Sequence, residues 1–396
     1  MFSPRDPVII AAARTPIGTF GGMFKTLHDT DLSVPVIKTL LHRANIADQP
    51  IDDVIWGCCY QRTTRETNLA RVAAVKAGLS LETPGVTLQR VCTSSLQAIV
   101  YAGWAIRLGE ADVMIAAGVE SMSMVPMMGN KVAFNPAIFE KNEHYGIAYG
   151  MGQTAEKVAE RWKVSREAQD AFALQSHQRA IAAIDSGEFK DEISPYHITD
   201  HVPDLNTREV KIKARDAVQD EGPRADTTQE ALAKLKTVFA QHGSVTAGNS
   251  SQMSDGAGAV LLCSEAALKR YNLTPIGKFL GFSVAGVPPE IMGIGPKEAI
   301  PRVLKQVGLS LSDMGWIELN EAFAAQSLAV IHDIGLDPAI VNPLGGAIAL
   351  GHPLGATGAI RTATLLHGLH RRKQKYGMVT MCIGTGMGAA GVFEAL

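Results

Sequence analysis

The segment LQRVCTSSLQAIVYAGWAIRLGEADVMIAAG, residues 88–118, decides the fold class. The apolar residue before Cys92 gives way to the small hydroxyl residues Thr93 to Ser95, which favour the start of a helix. After that helix, Asp112–Gly118 is a short, almost entirely apolar run that is typical of a buried strand. The segment therefore predicts a strand-to-helix junction at Cys92, a helix, and a second buried strand, as in α/β proteins.

The same alternation continues on both sides of this segment. Towards the N-terminus, the pattern predicts strands at Val8–Ala13 and Val54–Cys58 and helices at Leu32–Ala44 and Asn68–Ala77. It resumes from Gly277, with predicted helices over Pro301–Val307 and Ile360–Leu369 and predicted strands over Trp316–Asn320, Met378–Cys382 and Gly391–Phe393. Such alternation predicts a parallel or mixed sheet that helices cover on both faces.

The length of 396 residues favours more than one domain, because a single hydrophobic core usually stops growing at about 250–300 residues. The character of the chain changes after Glu120, where charged and turn-rich segments surround a helix-like stretch over Thr154–Ser186. We expect two α/β lobes, with an insertion from the first. The N-terminal lobe takes residues 1–121 and about 254–275, the inserted loop domain residues 122–253, and the C-terminal lobe residues 276–396.

Composition and charge exclude several classes of protein. The formal net charge of −2 gives no electrostatic basis for binding nucleic acid or an anionic membrane, and no stretch of about 18 apolar residues is present to span a bilayer. Arg14 and Pro16 interrupt the N-terminal apolar stretch, which indicates a buried strand and not a signal peptide. The chain has five cysteines, an odd number that favours a reducing compartment over a disulfide framework. We expect a soluble protein of the cytoplasm.

Cys92 is a candidate nucleophile. A cysteine at a helix N-terminus experiences the helix dipole and free main-chain amides, which stabilise the thiolate and lower the pKa of the thiol. The alternative is a buried structural cysteine, and the local sequence does not decide between the two.

His352 lies in NPLGGAIALGHPLGATG, residues 342–358, directly between Gly351 and Pro353. The many glycines indicate a tightly specified backbone. A histidine held there can accept the proton of a nucleophilic thiol. The alternative is a loop histidine whose hydrogen bonds are purely structural.

Cys382 ends an apolar strand and precedes the glycine-rich run GTGMG, residues 384–388, whose amides could turn toward a developing oxyanion. A dinucleotide-binding loop is excluded, because only eight residues follow Gly388, whereas that motif opens a helix within a unit of about thirty residues. No metal-ligand spacing stands out, since Cys58 and Cys59 are adjacent and the histidines are scattered.

Motifs along almost the whole chain resemble those of the thiolase family. They are RTPIG (14–18), GVESM (118–122), SREAQD (165–170), TAGNSS (246–251), NEAFA (320–324), NPLGG…GHPLG (342–355) and CIGTGMG (382–388). The last two are highly specific in combination. On this basis the chain is identified as a member of that family. The resemblance implies the thiolase fold, in which two similar α/β lobes pack as layers in the order α-β-α-β-α and carry an inserted loop domain.

The resemblance implies a ping-pong acyl transfer that uses no metal and no cofactor other than coenzyme A as a substrate. Cys92 would carry the acyl group as a thioester, and His352 would activate its thiol. Cys382 would protonate the acetyl-CoA enolate that cleavage releases, or remove the α-proton in the synthetic direction. Two oxyanion holes are implied: one from His352 and a water held by Asn320, the other from the main-chain amides of Cys92 and Gly384.

The resemblance also implies the binding partners. Coenzyme A and acyl-CoA would contact Arg224, Ala247, Ser251 and Phe323, with Arg224 facing the nucleotide end. The family resemblance implies a homodimer or homotetramer, and it allows association with a multifunctional enzyme of β-oxidation.

Among thiolases, the resemblance favours a 3-ketoacyl-CoA thiolase (acetyl-CoA C-acyltransferase) of fatty-acid β-oxidation. Some short-chain relatives have a histidine before Met-Gly, where this chain has Gly150, and the block NSSQMSDG, residues 249–256, is similar to that of β-oxidation enzymes. One alternative is an acetoacetyl-CoA thiolase (acetyl-CoA C-acetyltransferase), which condenses two acetyl-CoA with the same residues. Another is a catalytically silent relative that binds acyl-CoA or lipid.

Overall fold

The computed structural model describes residues 5–47, 49–60, 67–127 and 150–396 of the chain. The strands are β1 Val8–Arg14, β2 Gly18–Thr19, β3 Asp53–Gly57, β4 Gly85–Leu88, β5 Val113–Ser121, β6 Tyr196–Asp204, β7 Glu209–Ala217, β8 Ser254–Cys263, β9 Gly277–Gly286, β10 Met314–Leu319, β11 Tyr376–Ile383 and β12 Met387–Ala395. The helices are α1 Asp29–Ala44, α2 Leu69–Ala77, α3 Ser94–Leu108, α4 Met151–Trp162, α5 Arg166–Asp185, α6 Gln229–Ala233, α7 Glu265–Arg270, α8 Gly295–Val307, α9 Ala324–Ile334, α10 Ala347–Leu350 and α11 Thr357–Arg371. Within those ranges, no helix is both long enough and apolar enough to cross a membrane.

Ten of the strands form one mixed sheet in the order β10-β11-β12-β9-β1-β8-β5-β3-β4, with the short β2 beside β8. β3 runs parallel to β4 and β5, and β10 runs parallel to β11, whereas the other neighbouring strands are antiparallel. The two halves of the sheet join where β1 pairs with β9, through Val8 opposite Lys278 and Ile9 opposite Gly277. β8 follows the inserted segment in sequence and lies between β1 and β5.

Two helices, α3 and α11, lie between the two halves of the sheet and pack against each other. α3 contacts β3 and β5, and α11 contacts β8, β1 and β11. Leu96 and Ile99 of α3 and Ile360 and Leu366 of α11 belong to one buried cluster that fills this middle layer. α1 and α2 cover the outer face of the N-terminal half, and α8 and α9 cover that of the C-terminal half. The predicted layer order, α-β-α-β-α, is confirmed.

Two of the predicted helices differ in the structure. The stretch over Thr154–Ser186 is two helices, because Lys163 adopts a left-handed conformation with φ 54° and ends α4. The Ser165 side chain then accepts a hydrogen bond from the Ala168 amide and starts α5. The prediction that a helix begins at Pro301 is wrong, since α8 begins earlier and encloses this proline, while Pro296 occupies its first turn.

A buried charge cluster joins the inserted segment to the lobes. Arg14, at the end of β1, is only 1% exposed. Its guanidinium donates to Glu192 at 2.5 Å and to both carboxylate oxygens of Asp220 at 2.7 and 2.9 Å. Thr364 of α11 donates to the same Glu192 oxygen at 2.9 Å. The insertion therefore meets β1 through ion pairs and α11 through a hydrogen bond, and all of these contacts are shielded from water.

Candidate active site

Cys92 lies in a tight turn between β4 and α3. The residue before it, Val91, has φ 44°, a left-handed conformation that is strained for a β-branched side chain. The Ser94 hydroxyl holds this turn, because it accepts from the Arg90 amide at 2.8 Å and donates to the Val91 carbonyl at 2.6 Å. α3 begins at Ser94, so the turn places Cys92 immediately before the N-terminus of the helix, as the sequence predicts.

Burial raises the pKa of the Cys92 thiol to about 11. The main-chain amides of Gly384 and of Cys92 itself lie close enough to the sulfur to oppose that shift. The sequence-based expectation of a lowered pKa at Cys92 is therefore wrong, because a helix start that is shielded from water desolvates the thiolate more than it stabilises it. At neutral pH the sulfur is a protonated thiol and requires a base to become a nucleophile.

Gly384 lies in the turn between β11 and β12, where Thr385 and Gly386 have φ of 72° and 93°. Cys382, on the strand that leads into this turn, is 1% exposed and pairs with Gly388 across the hairpin. Burial raises the pKa of the Cys382 thiol well above its ordinary value, and the nearby Cys92 sulfur raises it further. The two cysteines therefore lie close together as neutral thiols.

The His352 ring has a defined tautomer. Its Nδ1 is 2.6 Å from the Thr357 hydroxyl, and that hydroxyl donates its single proton to the Pro353 carbonyl at 2.9 Å. Nδ1 must therefore carry the ring proton, which leaves the lone pair on Nε2. Burial, together with the Arg361 charge, lowers the pKa of His352 to about 3. His352 is thus a neutral base at physiological pH.

The loop of His352 is held by the strand that follows the insertion. The His352 amide donates to the Ser254 hydroxyl at 3.1 Å and to the Gln252 carbonyl at 3.2 Å. The Ser254 hydroxyl donates in turn to the Gln252 carbonyl at 2.9 Å. These bonds fix the main chain at the position where the histidine enters the site.

Asn320 lies directly after β10, where its amide donates to the Thr380 carbonyl at 2.9 Å. Its side-chain nitrogen is 3.3 Å from His352 Nε2, the ring atom that bears the lone pair. Its side-chain oxygen is buried and has no hydrogen-bond partner among the described residues. A buried oxygen of this kind is suited to accept a hydrogen bond from a bound water or substrate.

Comparison with known proteins identifies the family. The family model described as the thiolase N-terminal domain matches residues 7–266, and that described as the thiolase C-terminal domain matches residues 273–395. The chain belongs to the thiolase family. Its layered architecture is accordingly the thiolase fold, and as a family member the chain is an acyltransferase.

Individual relatives match over nearly their whole length. A 3-ketoacyl-CoA thiolase of Bacillus subtilis (strain 168) is 48% identical, with 98% of this chain and 99% of the relative covered. The crystal structure of the Bacillus anthracis acetyl-CoA acetyltransferase superposes with a TM-score of 0.90 at 43% identity, covering 99% of each chain. The human mitochondrial 3-ketoacyl-CoA thiolase in complex with CoA superposes with a TM-score of 0.88 at 41% identity, covering 99% of this chain and 98% of that one.

The four residues that are expected from the sequence to contact coenzyme A lie in two groups in this thiolase. Arg224 and Ala247 are exposed and line one cavity of about 320 Å³. Phe323 is buried in a small cluster with Cys382 and packs edge-on against Phe239, with the ring centroids 6.2 Å apart. The Ser251 amide donates to the Ala322 carbonyl at 2.9 Å, which places Ser251 with the second group.

Two residues of the site were not predicted as such from the sequence. Thr357 is part of the glycine-rich motif that was quoted for His352, but its role depends on the ring contact and not on its residue type. Arg361 lies one helical turn later on α11, is 2% exposed, and lowers the pKa of His352 by its charge. Helical spacing from Thr357 was the signal available for Arg361. In the described part of the chain, no group of three or more potential ligand side chains could hold a metal ion.

The pKa of His352 predicts that the protein loses stability in mild acid. Because the folded pKa, about 3, lies below the ordinary value of 6.5, the unfolded chain binds a proton that the folded chain excludes. The free energy of unfolding therefore falls as the pH drops from 6.5 toward 3. The substitution His352→Gln removes up to about 1.4 kcal/mol per pH unit of that slope. Urea titrations at about pH 7, 6 and 5 measure the slope.

The matched control is His242→Gln, which changes an exposed histidine. This control keeps the wild-type dependence of stability on pH. Equal slopes for the wild type and His352→Gln would contradict a buried, neutral His352.

Proposed function

We propose that the chain is a 3-ketoacyl-CoA thiolase of fatty-acid β-oxidation, with Cys92 as the residue that carries the acyl group. The observation that carries this proposal is the arrangement at Cys92, a protonated thiol with the main-chain amides of Cys92 and Gly384 close to its sulfur. An electrophilic carbon bound at this sulfur has its oxygen beside the same two amides, which is the geometry of an oxyanion hole.

The first half-reaction begins with proton transfer from the Cys92 thiol to His352 Nε2, the atom that bears the ring lone pair. The thiolate attacks the 3-keto carbon of the substrate, and the amides of Cys92 and Gly384 stabilise the tetrahedral oxyanion. Losing one such donor typically costs about 100- to 1000-fold in rate. The C2–C3 bond then breaks, and its electron pair passes to the thioester carbonyl as an acetyl-CoA enolate.

The enolate is stabilised and protonated by the other half of the site. His352, now protonated on Nε2, donates to the enolate oxygen, and Asn320 orients a water toward it through its unpaired side-chain oxygen. Cys382 gives its proton to C2 and completes acetyl-CoA. In the second half-reaction, the thiol of a new coenzyme A passes its proton to the Cys382 thiolate and takes the acyl group. Cys92 recovers its own proton from His352.

Coenzyme A binding is assigned to the two groups of residues described above. The nucleotide end lies at the exposed cavity of Arg224 and Ala247, where the guanidinium is suited to phosphate. The thioester end reaches Ser251 and the apolar cluster of Phe323 and Cys382. The complex of the human mitochondrial relative with CoA, at 41% identity, supports coenzyme A as a substrate.

Acyl transfer to Cys92 is tested by intact mass after incubation with acetyl-CoA. The wild type gains one acetyl group, which maps to Cys92, and Cys92→Ala gains none. Cys382→Ala still gains the acetyl group but loses both condensation and cleavage, because no acid or base remains for C2. Cys263→Ala, which changes a buried cysteine on β8, is the control and keeps both activities.

A wild-type protein that gains no acetyl group after incubation with acetyl-CoA would refute the enzyme mechanism. That result would favour a catalytically silent relative. Full carbon–carbon chemistry in Cys382→Ala would refute the division of labour between the two cysteines.

The preference for longer 3-ketoacyl chains over acetoacetyl-CoA is the narrower part of the proposal. It is supported by the 48% identity to a 3-ketoacyl-CoA thiolase and by Gly150 at the position of a short-chain histidine. An acetyl-CoA C-acetyltransferase is the second candidate, favoured by the 43% identity to a protein of that name.

Thiolysis kinetics distinguish these two functions. The expected kcat/KM is at least about tenfold higher for 3-ketoacyl-CoA of about 8 to 16 carbons than for acetoacetyl-CoA, because each buried methylene adds binding free energy. Faster turnover of the four-carbon substrate would assign the chain to the second function.

A second copy of the chain is the assembly partner that we propose. Among the described residues, β4 is the last strand of the sheet, so its outer edge is suited to pair with the same edge of another copy. Tyr101, Trp104 and Leu108 lie on one side of α3 and are 38%, 44% and 78% exposed. A two-fold arrangement would bury both features and give a homodimer, which can pair further into a homotetramer.

Sedimentation velocity tests this assembly. The wild type sediments as a dimer or tetramer, and Trp104→Glu dissociates it because the charge has no partner in an apolar interface. Leu205→Glu, at a 90% exposed position between β6 and β7, leaves the assembly unchanged. A wild-type monomer, or equal effects of the two substitutions, would contradict the proposed surface.

A further inference from the structure

Glu120, near the end of β5, is a buried carboxylate that the mechanism above does not use. It is 1% exposed. Its Oε2 accepts from the Gly355 amide at 2.8 Å and from the Cys59 amide at 2.9 Å. Its Oε1 accepts from the Tyr60 amide at 3.0 Å and from the Cys58 thiol at 3.8 Å. One side chain therefore joins β5 to the loop after β3 and to the loop of His352.

The three segments approach one another more closely than side chains would allow. A Cβ at Gly118, two residues before Glu120, would lie 2.3 Å from the Gly355 carbonyl oxygen. A Cβ at Gly355 would lie 2.7 Å from the Cα atom of Cys58 and 2.9 Å from Glu120 Oε2. Both glycines are required by close packing, and the carboxylate fills the remaining space with hydrogen bonds. Gly355 lies between His352 and Thr357, so this contact fixes the segment that orients the imidazole.

The hydrogen bonds indicate that Glu120 is ionised. Each carboxylate oxygen receives two donors, and three of the four are main-chain N–H groups that cannot accept a proton from a neutral carboxyl group. Burial raises the pKa of Glu120, and the hydrogen bonds from Tyr60, Cys59 and Gly355 oppose that shift. Because three main-chain N–H groups converge on the two oxygens, we infer that Glu120 is a carboxylate that is held in place inside the protein.

That charge acts on the nucleophile. Burial is the main cause of the raised pKa of Cys92, and the Glu120 charge raises it further. Cys59, beyond β3, and Cys382, on β11, also interact electrostatically with the Cys92 sulfur, but both are protonated because burial raises the pKa of each thiol. His352 is neutral. Glu120 is thus the ionised group among these neighbours.

The groups that face Glu120 itself are also protonated thiols. Cys58 and Cys59 come from the loop after β3, and burial raises the pKa of both. Asp29, at the start of α1, acts on Cys58 and raises the pKa of that thiol in the same direction as Glu120 does.

We propose that Glu120 is a positioning residue for the acyl-transfer site, which holds the His352 loop in place through the Gly355 amide and keeps a fixed negative charge within electrostatic range of the Cys92 sulfur. The charge keeps the resting sulfur protonated, which protects it from electrophiles and oxidants. It also keeps the thiolate strongly nucleophilic once His352 has taken the proton, because nucleophilicity falls as the pKa of a thiol falls. This inference rests on the proposed role of Cys92.

The test separates the charge of Glu120 from its hydrogen bonds by two substitutions. Glu120→Gln removes the charge, and Glu120→Asp keeps the charge but is too short to reach both loops. The readouts are the pH profile of Cys92 alkylation by iodoacetamide, followed by peptide mapping, and kcat for thiolysis. Glu321→Gln is the matched control, because Glu321 is also a buried carboxylate and accepts from the Ile348 amide of α10 at 3.1 Å, just before His352 in the chain. Glu321 is not among the groups that shift the pKa of Cys92.

Glu120→Gln is expected to lower the apparent pKa of Cys92 alkylation by about 0.5 unit or more. Glu120→Asp is expected to keep that pKa at the wild-type value and to lower kcat by about 10- to 100-fold, because the histidine is misplaced. Glu321→Gln leaves the alkylation profile unchanged. If Glu120→Gln does not fold, the kcat and the alkylation pKa of Glu120→Asp test the inference, with Glu321→Gln as the control.

The inference would be overturned by an alkylation pKa in Glu120→Gln that equals the wild-type value, or by full kcat in Glu120→Asp. An equal shift in Glu321→Gln would also overturn it, because the effect would then be a general consequence of losing a buried carboxylate. Acetylation of wild-type Cys92 by acetyl-CoA is measured in parallel. If that acetylation is absent, the proposed function has failed; if it is present and the pKa does not move, only the inference about Glu120 has failed.

Discussion

The main-chain amides of Cys92 and Gly384 both lie near the Cys92 sulfur, and these two residues come from opposite halves of the molecule. Cys92 precedes α3 in the N-terminal half, whereas Gly384 lies in the β11–β12 turn of the C-terminal half. The pair of donors exists only while the halves are held in register by α3 and α11, the two helices of the shared middle layer. Packing of that layer is therefore a condition of the chemistry, and not only of stability.

Burial sets the resting protonation of the site. It raises the pKa of Cys92 to about 11 and lowers that of His352 to about 3, so the nucleophile and its base are both neutral before substrate binds. A thiolate–imidazolium pair would place two charges where water cannot solvate them. Proton transfer from Cys92 to His352 becomes favourable when the developing oxyanion of the substrate meets hydrogen-bond donors that are already in position. The sulfur therefore ionises only as the reaction proceeds.

Buried ionic contacts connect the segments that carry the site. Arg14 joins β1 to the insertion through Glu192 and Asp220, and Thr364 extends this contact to α11. Glu120 makes a similar connection between β5, the loop after β3 and the His352 loop, mainly through hydrogen bonds from main-chain amides. Groups of this kind contribute little net stability, but removing one partner leaves the others desolvated and unpaired. They therefore favour one arrangement of the loops over its alternatives.

By itself, the sequence determined the alternation of strands and helices, the turn at Cys92, and the residue types at the reactive positions. Apolar periodicity and helix-start residues are local signals, although they did not locate the break at Lys163 or the place of Pro301 inside α8. Only the tertiary structure decided the direction of the pKa shift at Cys92, the Nδ1 proton of His352 and the ionised state of Glu120. Each of these depends on burial and on hydrogen bonds between segments far apart in the chain, which no local pattern encodes.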